Sequence, residues 1–124
     1  MIDIHFVTFD CIRPYEVATF WSEATGLKFH PETDKDDDDE FLLQGGTTDL
    51  LFVTVPEGKT VKNRIHLDVT AAPGGTREEE VERLLGLGAT IFSDLRNPDG
   101  SGWVTMLDPE GNEFCVCRAE HEKA

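Results

Sequence analysis

The chain is short of positive charge and of cysteine and has no long apolar run, and each shortage removes a class of function. Lys and Arg together number 11 against 25 Asp and Glu, a formal net charge of −14. Binding to nucleic acid or to an anionic membrane needs clustered Lys and Arg that neutralise phosphates, so neither is expected, and a cationic partner is favoured. No stretch approaches the roughly 18 consecutive apolar residues of a membrane-spanning helix, and the chain starts without the basic residues and apolar stretch of a secretion signal. Three cysteines, an odd number without paired spacing, suit a reducing compartment better than a disulfide framework. The expected location is the cytoplasm.

What is present is enough chain, 124 residues, for one domain with a real core. Negative charge is concentrated in two places. Asp34 to Glu40, broken only by Lys35, lacks the central glycine and distal glutamate of an EF-hand calcium loop and reads as a solvated loop. Glu78, Glu79 and Glu80 fall in a predicted helix.

Residues 2–9 alternate and are rich in Ile, Phe, Val and Thr, which predicts a strand. Pro14 then opens a helix whose apolar stripe is Val17, Phe20, Trp21 and Ala24, and Gly26 stands where a left-handed cap is expected. Short strands are predicted near 27–30, 40–44 and 49–55. The second half repeats the order. Arg64 to Thr70 reads as a strand, Thr76-Arg77-Glu78-Glu79 as a capping box, Val81, Leu84 and Leu85 as a helical stripe closed by Gly88, and segments near 89–93, 102–107 and 112–118 as strands. Asp108-Pro109-Glu110-Gly111-Asn112 is a turn between the last two. Ile4-His5-Phe6 is echoed by Ile65-His66-Leu67, and Glu16-Val17 by Glu80-Val81. A single domain over 1–124, built from duplicated β-α-β-β-β units at about 1–58 and 62–119, is therefore expected. A helix on one face of each sheet leaves the other face for a ligand cavity.

Taken in order, these segments resemble the vicinal oxygen chelate superfamily, which includes glyoxalases, extradiol dioxygenases, fosfomycin resistance enzymes and bleomycin resistance proteins. The resemblance rests on the first strand leading to Arg13-Pro14, the helix end from Phe20 to Leu27, the strand from Asn63 to Val69, and the hairpin from Trp103 to Val116. Val61 to Asp68 and Asp108 to Val116 look closest to the glyoxalase-like subgroup. The resemblance implies an α+β fold, two tandem β-α-β-β-β units forming a curved mixed sheet around a cavity, and a homodimer.

In the metal-using members of that superfamily, His, Gln or Glu ligands occupy up to four positions. Matched by spacing, those positions here are Phe6, Phe52, His66 and, where a glutamate follows the Gly-Asn turn, Cys115. Two phenyl groups bind no cation, so no metal and no other cofactor is expected, and a site made from His5, His66 and Cys115 is disfavoured because alternation turns His5 toward the helix.

Alternation puts Phe6, Thr8, Phe52, Thr54, His66, Asp68, Cys115 and Cys117 on the cavity side, with Trp103 as core or cavity wall. That set is apolar with a few convergent polar groups, which suits a small aromatic or cationic molecule. The primary expectation is metal-free sequestration of such a compound. The alternative is an enzyme, either a metal-independent lyase, isomerase or hydrolase using His66 as catalytic base, or a metalloenzyme with an atypical ligand set. Two further readings are Cys115 as a nucleophile activated by His66 and a domain that docks another protein through an exposed apolar patch.

Overall fold

The computed structural model describes residues 1–123. The chain divides into two compact units, Met1–Lys59 and Thr60–Ala124.

In the first unit the order is β1 (Phe6–Cys11), α1 (Pro14–Thr25), β2 (Lys28–Phe29), β3 (Glu40–Gln44) and β4 (Asp49–Thr54). Pro14 sits at the first position of α1, where its missing N–H would have had no helical partner in any case. The helix ends at Gly26, whose φ of 81° is left-handed and whose N–H bonds to the Ser22 carbonyl at 2.8 Å. Val17, Phe20 and Trp21 are buried as the stripe predicts, each contributing about 1.5–3 kcal/mol of burial. The sheet runs β1-β4-β3-β2, with β1 parallel to β4 and the other pairs antiparallel.

Register decides which residues reach the core. Phe52 is the partner of Phe9 on β1 and of Phe41 on β3, so the three share the face that α1 covers. Phe52 is fully buried, its ring 4.7 Å from that of Phe9, which in turn lies 5.5 Å from Trp21. The expectation that Phe52 faces a ligand cavity is therefore corrected: it is core. Leu51 and Val53 occupy the opposite face of β4 and are half-buried. The first strand is also shorter than predicted. His5 precedes β1, exposed, with its ring stacked 3.8 Å from Phe6, rather than turned toward the helix. Tyr15 stacks on Phe29 at 5.4 Å and meets Phe41 edge-on at 5.3 Å.

The second unit has the same order: β5 (Leu67–Thr70), α2 (Arg77–Leu87), β6 (Thr90–Asp94), β7 (Trp103–Leu107) and β8 (Glu113–Cys117), followed by a short 3-10 turn at Glu120–Glu122. Its sheet runs β5-β8-β7-β6, again with one parallel pair, β5 with β8. The predicted capping box is present. Thr76 Oγ1 accepts the Glu79 N–H at 3.1 Å, and Glu79 Oε1 accepts the Thr76 N–H at 3.0 Å. Glu78, Glu79 and Glu80 lie in the first turn, where carboxylates complement the helix dipole. Val104, Met106, Phe114 and Val116 are buried in this unit's core with Val81 and Leu84 of α2. Among the described residues no helix is long and apolar enough to cross a membrane.

Candidate functional site: a pocket on the second sheet

Side chains on β5, β7 and β8 that alternate away from the core converge on one pocket. Asp68 and Thr105 are both partners of Cys115, and Trp103 is the partner of Cys117, so these residues form two adjacent rows across three strands. They line a cavity of about 440 Å³. His66 joins them from just before β5, because that strand starts three residues later than the sequence pattern suggests.

A β-bulge supplies the opposite wall. Ile91 pairs with Met106 and Ser93 with Thr105, leaving Phe92 as an extra residue in β6. The bulge brings Phe92 and Ser93 to the pocket side, where Phe92, Leu95 and Trp103 make an apolar rim. Trp103 is 42 % exposed there, whereas Trp21 of the first unit is core.

The polar side of the pocket is built around His66. Its Nδ1 lies 3.0 Å from Oδ1 of Asp68, a contact that fixes the ring and, with the proton on Nδ1, leaves Nε2 free as an acceptor. Cys115, 8 % exposed, forms the floor, and its Sγ lies 3.5 Å from Thr105 Oγ1. Burial, and then the neighbouring Asp68 carboxylate, push the Cys117 thiol up from its ordinary range.

Glu113 was read from sequence only as part of the hairpin. It is 6 % exposed and accepts the Asn63 backbone N–H through both carboxylate oxygens, at 3.2 and 3.4 Å. That bond ties the segment carrying Lys62, another lining residue, to the start of β8. An acidic residue beside a Gly-Asn turn normally signals solvent, so nothing in the sequence marked it. The turn itself behaves as read: Asp108 Oδ1 accepts the N–H groups of Glu110 and Asn112 at 2.9 and 3.0 Å.

The segment from Leu95 to Gly102 shapes the apolar rim and is held at both ends. Buried Arg77 donates through Nη1 to the carbonyls of Gly100 and Gly102 at 3.2 and 3.0 Å. At the other end Arg96 binds Asp94 through Nε and Nη2, at 2.9 and 2.7 Å, and these hydrogen bonds hold the Asp94 carboxyl at about 2, below the ordinary 3.8. The folded value is the depressed one, so this contribution is present above 3.8 and is lost as pH falls toward about 2. In thermal melts across that range, Asp94→Asn is expected to lose less stability on acidification than the wild type; parallel curves would contradict the assignment.

Of the residues expected at a site, His66, Asp68, Trp103 and Cys115 stand together in the second unit. Phe6 and Thr8 belong to β1 of the first unit, half-buried and exposed respectively. The fold also bears on metal binding. Phe6 offers no donor atom and Phe52 is core. His66, Asp68 and Cys115 each place one potential ligand atom within 4.8 Å of the others, a mixed N, O and S set confined to the second unit.

Two mixed four-stranded sheets with one helix each, repeated in tandem, define an α+β fold of the glyoxalase/bleomycin resistance/dioxygenase type. Residues 6–117 match the model of the glyoxalase-like domain family, and the chain belongs to that family, within the vicinal oxygen chelate superfamily. No curated protein matches it. Among solved structures it is similar to a glyoxalase/bleomycin resistance protein/dioxygenase family enzyme from Burkholderia phytofirmans PsJN, at 17 % identity and a TM-score of 0.70, covering 94 % of this chain and 98 % of that one. A lactoylglutathione lyase from Agrobacterium tumefaciens is 17 % identical with a TM-score of 0.64, covering 100 % and 98 %. A fosfomycin resistance protein from Listeria monocytogenes, complexed with Mn(II) and a dihydroxypropylphosphonic acid, is 13 % identical with a TM-score of 0.70, covering 94 % and 90 %. Likeness at these identities carries the fold alone.

Proposed function

We propose that the protein binds a small aromatic or cationic molecule, without a metal, in the pocket of the second unit. The observation that carries this reading is the pairing of an aromatic rim, Phe92 and Trp103, with the Asp68 carboxylate across one cavity. Aromatic faces attract flat or cationic groups, and the net charge of −14 draws cations toward the protein. A cytoplasmic homodimer belongs to the same reading, the dimer resting on the family likeness and the compartment on cysteine usage; light scattering reports the former.

The test is a calorimetric titration against a library of cationic and neutral aromatic compounds, which reads wild type and variants alike. Saturable binding is expected, weakened about thirtyfold by Trp103→Ala and less than about tenfold by His66→Ala. Turnover of a bound compound that His66→Ala abolishes would replace this reading with an enzymatic one, in which His66 acts as base in a lyase, isomerase or hydrolase step. The proximity of His66, Asp68 and Cys115 favours one further reading, a metalloenzyme with an atypical ligand set. Elemental analysis of protein exposed to Zn²⁺, Ni²⁺, Mn²⁺ or Fe²⁺ and desalted decides it, because that reading requires near-stoichiometric metal that is lost on His66→Ala.

A further inference from the structure

We propose that Cys115 is a reactive thiol with His66 as its base, and that the molecules captured in the pocket are soft carbon electrophiles of the α,β-unsaturated carbonyl class. This rests on the pocket reading above and assigns its chemistry. Three observations carry it. Cys115 lies at the floor of the cavity, 8 % exposed, on the side open to a small molecule. One ring nitrogen of His66 and one carboxylate oxygen of Asp68 lie within 4.8 Å of its Sγ, and Asp68 holds the ring through its 3.0 Å contact with Nδ1. The Thr105 hydroxyl, 3.5 Å from Sγ, can donate to sulfur as negative charge develops there. The apolar rim of Phe92, Leu95 and Trp103 suits the body of such an electrophile.

The step balances without a co-reactant. The imidazole of His66 takes the Sγ proton as the S–C bond forms at the β-carbon of the acceptor. The C=C electron pair moves to the α-carbon and carbonyl oxygen. The imidazolium then returns the proton to the α-carbon. Nothing is oxidised, reduced or expelled, and the product is a thioether held in the pocket. Cys117, one row away on the same face, is the internal comparison, since it lies outside the His66, Asp68 and Cys115 group, and Cys11 is fully buried in the first unit.

The experiment treats the folded protein with N-phenylmaleimide, an aromatic acceptor of this class, and follows each cysteine by intact mass and peptide mapping. Cys115 is expected to be alkylated first, at least about tenfold faster than Cys117, with a rate that saturates in probe. His66→Gln, checked for an unchanged melting transition, should slow it at least about tenfold near pH 7 while slowing Cys117 less than about twofold. A purely structural His66 would slow both or neither. Alkylation of Cys115 no faster than that of Cys117, or equal rates in wild type and His66→Gln at neutral pH, would overturn the proposal. The saturated analogue N-phenylsuccinimide separates it from the binding reading. Saturable quenching of Trp103 by the succinimide with Cys115 unreactive toward the maleimide removes the reactive thiol and keeps the pocket. Alkylation that depends on His66 but rises linearly with probe, with no succinimide binding, keeps the thiol and removes the pocket.

Discussion

Phe52→Ala is expected to cost about 3–5 kcal/mol of folding stability, the range for deleting a fully buried aromatic side chain. The ring lies between its strand partners Phe9 and Phe41 beneath α1, and a close-packed core relaxes only partly around a deleted side chain. Phe6→Ala and Thr8→Ala, on the other face of β1, should each cost about 1 kcal/mol or less, as for sites that are half-buried or exposed. Urea unfolding of the three variants is a direct test of register. If all three midpoints fell together, β4 would have to present Phe52 on the face opposite to the one described.

Gly102→Ala should cost about 3 kcal/mol or more, by combining left-handed backbone strain with a steric collision. The residue has a φ of 88°, and a Cβ placed on it would collide with the carbonyl oxygen of Leu95. That carbonyl belongs to backbone, so the clash is relieved only by moving the segment that carries Leu95 and Trp103. Ligand binding in the pocket should weaken with stability, by about tenfold, because two rim residues move. Gly86→Ala is the matching control. It lies in α2 with nothing within 4 Å of the added methyl, and should stabilise the protein by about 0.5–1 kcal/mol. Unequal effects of the two, in opposite directions, are read from the same urea titration; a harmless Gly102→Ala would mean the segment is free to relax.

The contrast between these predictions shows where the sequence is legible. Both helices were marked by local chemistry that does not depend on distant partners: Pro14 and Gly26 for α1, the Thr76–Glu79 box and Gly88 for α2. The hairpin turn was marked by Asp108 and Gly111 in the same way. The face of β4 was not. Leu50, Leu51, Phe52 and Val53 are apolar at every position, so the segment has no alternation from which to infer a face, and only its pairing with β1 decides. The start of β1 was missed for a related reason. Ile2 and Ile4 continue the alternating pattern, but β4 begins at Asp49 opposite Phe6, so the residues before Phe6 have no ladder to join and stay exposed.

At the site, His66, Asp68 and Cys115 could be grouped in advance because spacing of two along a strand and the likeness of the hairpin both pointed to one face. Glu113, Phe92 and Leu95 could not. The role of Glu113 depends on a backbone N–H fifty residues away, and those of Phe92 and Leu95 on a bulge and a loop whose geometry is set by Arg77.

The bulge in β6 has a consequence for how such a pocket changes over generations. Because Phe92 is surplus to the ladder, losing that one codon would leave Ser93 opposite Thr105 and every other pair in register, while stripping an aromatic wall from the cavity. Gaining a different residue at the same point would be equally silent to the sheet. The shape of this pocket can thus drift by insertion and deletion at a single point in one strand, uncoupled from the selection that keeps the fold.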